Sequence, residues 1–349
     1  MGVPELRREV LRQCDLLQTL LAFNFRLRRE DKNAIAKIRR ETPTAPARTL
    51  RQFRDLLESN LRNAKKRLPC RPRLEDLQRL ADRFQGKYAY VPKYFLERLS
   101  DDFSHVIPNW QSMPAQTLIG FDFAGEYDQI GFEYFLSEIA FYEDMCLAYN
   151  QAVQSQYEPS GGSVDKVRRK THQFYLRTAV LSTFYMVEAH LNGVAFDFLL
   201  RTKGTRKVSE EETDKLWEWE TKKNREKWVS FRDKILQYPK IILGLKDPPL
   251  TESNCEEVRV LTEEAKVLRD SLVHNSPKLD FELVEDKQRV VMPKIQSIFE
   301  LNLDKATRVV DTSLRLVKKL NSILGAHAPN LDCLHERASS GLFPEEAFK

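Results

Sequence analysis

The sequence predicts a mainly α-helical protein with an N-terminal helical region, a C-terminal helical bundle and one small β-hairpin. Three observations carry this expectation. Apolar residues recur at helical spacing through most of the 349 residues. Two Ser-x-x-Glu patterns, Ser209–Glu212 and Ser253–Glu256, have the form of capping boxes that open helices. A period of two occurs around 279–293, where FELV and RVVM flank EDKQ, which marks the hairpin.

In order along the chain, residues 4–40 form a long helix or a helical pair, with Leu6, Val10, Leu17, Leu20, Leu21, Phe25 and Leu27 as its apolar stripe. TPTAPA (42–47) breaks it, because two closely spaced prolines cannot continue a helix. A second amphipathic helix follows at about 49–68, marked by Leu50, Phe53, Leu57 and Leu61, and another begins near Leu74. Residues 86–132 are aromatic and irregular, punctuated by Pro92, Pro108, Pro114 and Gly120, and Glu133–Gln151 resumes as a helix. EPSGGSVD (158–165) has the composition of a linker. The helix after it, about 164–201, is apolar nearly all round and belongs at the centre of a bundle. A helix over about 210–237 directs Trp217, Trp228 and Phe231 inward, and YPKIILGLKDPP connects it to a helix from Ser253 to about Asn275. A closing helix spans about 294–324. The expected domains are therefore 1–157, helical, the linker 158–165, a bundle over 166–325, and a C-terminal tail over 326–349.

Charge is unevenly placed despite a net +5. Residues 1–73 hold 19 Lys/Arg against 8 Asp/Glu, and no Lys or Arg occurs from Leu99 to Asp165, where 11 acidic residues fall. The basic arm either reaches for nucleic acid or docks on the acidic block, of this chain or of a partner. Five scattered cysteines form neither a disulfide framework nor a metal knuckle, there is no run of apolar residues long enough to span a bilayer, and the first residues lack a secretory h-region. The expectation is a cytoplasmic protein without membrane contact, cofactor or metal. His327, Cys333 and His335 fall short of a ligand set for zinc, and Asp122, Glu126, Asp128 and Glu133 lack the spacing of a calcium loop. Trp217, Trp219 and Trp228 around KKNREK either stack bases or pack in a core.

The chemistry-bearing stretch is VLRDSLVHNSP (267–277), in which Arg269 and His274 stand in Arg-x4-His spacing with a polar residue after the Arg. On a helix whose core stripe is Val258, Leu261, Ala265, Leu268 and Leu272, Arg269 falls at the stripe's edge and His274 points about 150° from its centre. An Arg at a core edge needs a carboxylate, and Glu188 in YMVEAHLN is the expected partner, as a packing bridge or as part of a site. Asp270, four residues before His274, shares its helix face and is expected to fix the imidazole tautomer and raise its pKa.

The motif's position on a penultimate long helix, after an apolar helix containing a Glu and before a closing helix, resembles the HEPN-domain family over residues 165–325. Many HEPN proteins are ribonucleases of toxin and antiviral systems. The resemblance implies a metal-independent endoribonuclease that dimerises so that two Arg-x4-His helices face each other. His274 would deprotonate the ribose 2′-OH or protonate the 5′-oxygen, and Arg269 would hold the scissile phosphate. Asn275 and Ser271 would touch phosphate or base. RNA is the expected substrate, and the N-terminal region would bind RNA, a protein partner or an inhibitor. The alternative is a non-catalytic HEPN-like scaffold or a nucleic-acid-binding interaction protein.

Overall fold

The computed structural model describes residues 2–23, 29–65, 91–99, 103, 107, 110–111, 113–122, 131–156, 163–202, 208–221, 223, 225–273, 280–284, 287–291 and 297–328. The protein is mainly helical and forms two compact units, Met1–Phe135 with Val208–Lys227, and Leu136–Lys207 with Trp228–Lys349. No helix among the described residues is long and apolar enough to cross a membrane.

In the first unit, α1 (Val3–Phe23), α2 (Arg29–Glu41) and α3 (Ala47–Lys65) resolve the expected helical pair and the helix after it. Leu6, Val10, Leu17 and Leu20 of α1 are buried, as are Leu50, Leu57 and Leu61 of α3, so the apolar stripes read from the sequence meet. Thr42 closes α2 by donating its hydroxyl to the Ile38 carbonyl at 2.6 Å. The stretch expected to be irregular contains a small antiparallel sheet in the order β1–β2–β3, built from β1 (Val91–Pro92), β2 (Leu118–Asp122) and β3 (Gly131–Phe135). Ile119 is opposite Tyr134, so Glu133 lies in a strand rather than opening a helix. α4 (Lys93–Leu99) follows β1, and its buried Lys93 donates to the Met113 carbonyl at 2.7 Å and lies over the Trp110 ring.

The remaining part of this unit is α7 (Glu210–Leu216) and the short strands β4 (Trp219–Glu220) and β5 (Arg225–Glu226). Ser209 and Glu212 make the expected capping box. The single helix expected over 210–237 is broken after Leu216, where Glu218 takes a positive φ of 51° and the chain turns into β4. Trp217 and Trp228 are consequently exposed rather than inward, at 37% and 76%, while Phe231 is buried.

The second unit is built on α6 (Ser163–Arg201), which agrees with the expected central helix. Val180, Phe184, Val187, Leu191, Val194, Ala195 and Phe198 are all buried along it. α5 (Ser137–Gln154) runs antiparallel beside it: Phe141 meets Tyr185 near one end, and the Ala152 carbonyl meets His172 Nδ1 at 2.9 Å near the other. The seam expected at 158–165 thus falls between two helices of one unit. α8 (Phe231–Leu243) is capped by Ser230, whose side chain accepts from the Asp233 N–H, and ends at Gly244 in the left-handed region (φ 68°). It therefore takes in the YPKIIL stretch expected as a connection.

The next helix starts at Glu256, not Ser253, because Ser253 contacts Thr251 and Cys255 occupies the cap position. It runs as α9 (Glu256–Arg259), a π-helical segment (Val260–Glu264) and α10 (Lys266–Val273). The expected hairpin is present as β6 (Asp280–Val284) and β7 (Lys287–Val291), paired with Glu282 opposite Arg289. α11 (Leu303–Leu324) opens at Asn302, whose side chain accepts from the Lys305 N–H at 2.9 Å, and buries Val309, Val310, Leu316, Leu320 and Leu324.

One polar group sits deep in this bundle. His190 on α6 is 1% exposed, and burial lowers its pKa from 6.5 to about 4, a shift that the neighbouring Asn321 of α11 opposes. A base whose folded pKa is depressed stabilises the fold above its unfolded pKa and withdraws that stability as pH falls towards 4. The linked loss is about 3 kcal/mol. Thermal melting followed from neutral pH down to about 4 should show a shallower acid decline in His190→Leu than in the wild type. Identical slopes would mean that His190 is not buried neutral.

Candidate functional site

Arg269 lies on α10, one turn beyond the π-helical segment, where the Ala265 N–H reaches back to the Val260 carbonyl at 2.8 Å. π segments inside helices are rare and occur frequently at functional sites. Of the expected core stripe, Val258, Leu261, Ala265 and Leu268 are buried, whereas Leu272 is half-buried and Ser271 takes the inward position. Arg269 sits at its edge with 18% of its side chain exposed. Both its Nε and its Nη2 donate to Asp270 Oδ1, at 3.0 and 2.6 Å. Its guanidinium lies 5.3 Å from the centre of the Phe231 ring on α8, a cation–π distance. Phe231 in turn meets Phe184 of α6 edge to face, with ring centres 5.4 Å apart.

The expected partnership of Glu188 with Arg269 is not formed. Glu188 accepts instead from Lys234 Nζ at 2.5 Å. Lys234 is 2% exposed and Glu188 about one-third exposed, so the pair reaches from the bundle interior to its surface. The physical reason is the position of α8: Phe231 and Lys234, three residues apart on it, meet Phe184 and Glu188, four residues apart on α6. Glu188 and Arg269 thus flank the same stretch of α8 from different helices. Asp270 Oδ1 holds Arg269, and the His274 it was expected to orient lies outside the described residues.

Ser271 is 1% exposed; it donates to the Val267 carbonyl at 2.5 Å and lies 3.0 Å from Ser297 Oγ, so it faces the bundle rather than a substrate. His274 and Asn275 lie outside the described residues, one and two positions beyond the end of α10. The chain matches no protein-family model, no curated protein and no solved structure.

Among the described residues no cluster of three or more His, Cys, Asp or Glu is placed to hold a metal ion. Of the HAPNLDCLH stretch His327 is described, beside the Phe198 ring, while Cys333 and His335 lie outside the described residues, as do Glu126 and Asp128. Cys14, Cys146 and Cys255 are buried free thiols, and burial pushes the first two up to about 11.

Several cations of the basic arm are neutralised inside the first unit. Arg8 is 3.9 Å from Asp214 and bonds Thr221, Arg12 pairs with Glu9, Arg39 with Asp15, and Arg54 with Asp55 and Glu58. These acids belong to α1, α3 and α7, not to the acidic block 99–157.

Proposed function

We propose that the protein is a metal-independent endoribonuclease of the HEPN type. The observation that carries this reading is Arg269, a partly exposed guanidinium held at the edge of the bundle by Asp270 and Phe231, five residues before His274. An Arg with a fixed plane is suited to a phosphate because two of its N–H groups meet two oxygens at once. In the reaction, one imidazole takes the proton from the ribose 2′-OH, whose oxygen attacks the adjacent phosphorus. The bond to the 5′-oxygen breaks, and that oxygen leaves with a proton from a second acid. Two His274 side chains in a homodimer supply the two proton transfers. The products are a 2′,3′-cyclic phosphate and a 5′-hydroxyl, and Arg269 stabilises the charge that builds on the phosphoryl oxygens.

The test is the chemistry of the products. Purified protein should cleave structured RNA in EDTA and leave a cyclic phosphate, while the same sequence made as DNA stays intact. Cleavage of DNA, or ends bearing a 5′-phosphate, would overturn the reading. A non-catalytic scaffold is the second reading. It is favoured by the fact that two N–H groups of Arg269 are already given to Asp270, an arrangement equally suited to bracing a bundle. Under either reading the first unit recruits RNA, a protein partner or an inhibitor. The family's cytoplasmic toxin and antiviral effectors are the class of function implied.

A further inference from the structure

The stretch 166–177 of α6, KVRRKTHQFYLR, carries five cations and no acid. Lys166, Arg168, Arg169 and Lys170 are exposed and Arg177 is half-buried, and none has an ion-pair partner among the described residues. This contrasts with the basic arm, where acids answer the arginines named above. The part of α5 alongside, residues 145–154, contains no acidic residue either. Across from it, Gln173 donates to the Leu301 carbonyl, and the nearby acid Glu300 is engaged by Lys305.

Placement on the helix makes this more than a local charge excess. At about 100° per residue, Lys166, Lys170, Phe174 and Arg177 lie within about 80° of Phe184 and Glu188, on one face of α6. α8 covers that face at Phe184 and Glu188, where the Phe231–Arg269 stack begins. Beyond it Lys166, Lys170 and Phe174 of that face are exposed, while Arg177 is half-buried and Gln173 beside them meets the Leu301 carbonyl. Phe174 is 55% exposed and Val167 65%, an apolar ring and side chain set among the cations. With a rise of about 1.5 Å per residue, Arg177 lies about 10 Å along the axis from the level of Phe184, and Lys166 about 27 Å.

We infer that this face of α6 is a binding track for single-stranded RNA, leading to Arg269. Lys166, Lys170 and Arg177 neutralise successive phosphates, and Phe174 stacks on a base. Cations interleaved with an exposed aromatic are the composition of a single-strand platform, which reads backbone and π-face rather than sequence. The inference rests on RNA being the substrate, as proposed above, and it assigns RNA binding to the helical unit that holds Arg269.

The experiment measures affinity for a short labelled 2′-O-methyl RNA, which lacks the attacking hydroxyl and so reports binding without cleavage. The variants are Lys166→Glu/Lys170→Glu/Arg177→Glu, Phe174→Ala and His274→Ala in the full chain, with melting temperatures confirming that each folds. The triple variant should lose at least about tenfold in affinity. Its salt dependence should flatten by about 2 in log–log slope, at ~0.7 for each phosphate that is no longer neutralised. Phe174→Ala should lose roughly tenfold with an unchanged slope, and His274→Ala should bind as the wild type does. Wild-type affinity in the triple variant overturns the track, even if His274→Ala abolishes cleavage of ordinary RNA. Weakened binding by the triple variant, in a protein that never cleaves RNA, retains the track and removes the nuclease. Equal competition by an acidic peptide or by anionic vesicles shows a general anion surface and overturns the assignment to RNA.

Discussion

Arg269→Ala should lower the single-turnover rate of RNA cleavage by about 10²–10³, the range seen when one preorganised donor to a developing anion is removed. Arg269→Lys should recover little of this. An ammonium is a point charge and cannot reproduce the flat pair of N–H groups that Asp270 and the Phe231 ring hold in place. The accompanying loss of stability should be small. The ion pair with Asp270 is partly solvated, with side chains 18% and 24% exposed, and a cation over a ring contributes about 1 kcal/mol. A melting temperature only a few degrees lower together with a rate a hundredfold lower identifies a residue that acts on the phosphate. Severe unfolding by Arg269→Ala, with His274→Ala changing nothing, identifies the scaffold.

The second large effect is an asymmetry across the Glu188–Lys234 pair. Glu188→Leu removes the carboxylate from an ammonium that is 2% exposed, and should cost about 3 kcal/mol of stability. Lys234→Met should cost less than about 1.5 kcal/mol, because volume is kept and the remaining Glu188, one-third exposed, can hydrate. Denaturant midpoints of the two variants check this. Equal losses would mean that Lys234 does not depend on Glu188 for its burial. The double variant should be more stable than Glu188→Leu alone, as it leaves no charge behind.

Much of this bundle was legible in the sequence for identifiable reasons. α6 was found because its apolar coverage is nearly all round, and β6–β7 because the period changes from helical to two. The stripe Val258, Leu261, Ala265, Leu268 and Leu272 puts Arg269 at a core edge, and all of it but the half-buried Leu272 is buried. The π-helical segment at Val260–Glu264 has no counterpart in a wheel of fixed angle, and it shifts everything beyond it by about one position relative to what precedes it.

The partner of Glu188 is not legible from a helix over 210–237, because α8 begins at Phe231. Ser230-x-x-Asp233 and Gly244 mark its true ends, but Trp217, Trp228 and Phe231 read as one inward stripe carry a single helix through 210–237. With α8 placed at Phe231–Leu243, Lys234 falls three residues after an inward Phe. A lysine in an otherwise apolar stripe then requires a carboxylate. The sheet β1–β2–β3 was overlooked for a different reason. LIGFD and GFEYF do carry the aromatic composition of strands, but Gly120 and the upstream Pro92, Pro108 and Pro114 read as loop. The division into units was hidden because α5 and α6 join across a Gly-Gly stretch that has a linker's composition yet connects two packed helices.

The measurement that bears most directly on the central claim compares wild type and His274→Ala on structured RNA in EDTA, at matched folding and concentration. The account predicts that the wild type cleaves and that the alanine variant is slower by at least about a hundredfold, the contribution of a positioned general acid–base. Equal rates for the two proteins, with every cut following the same pattern, would contradict it.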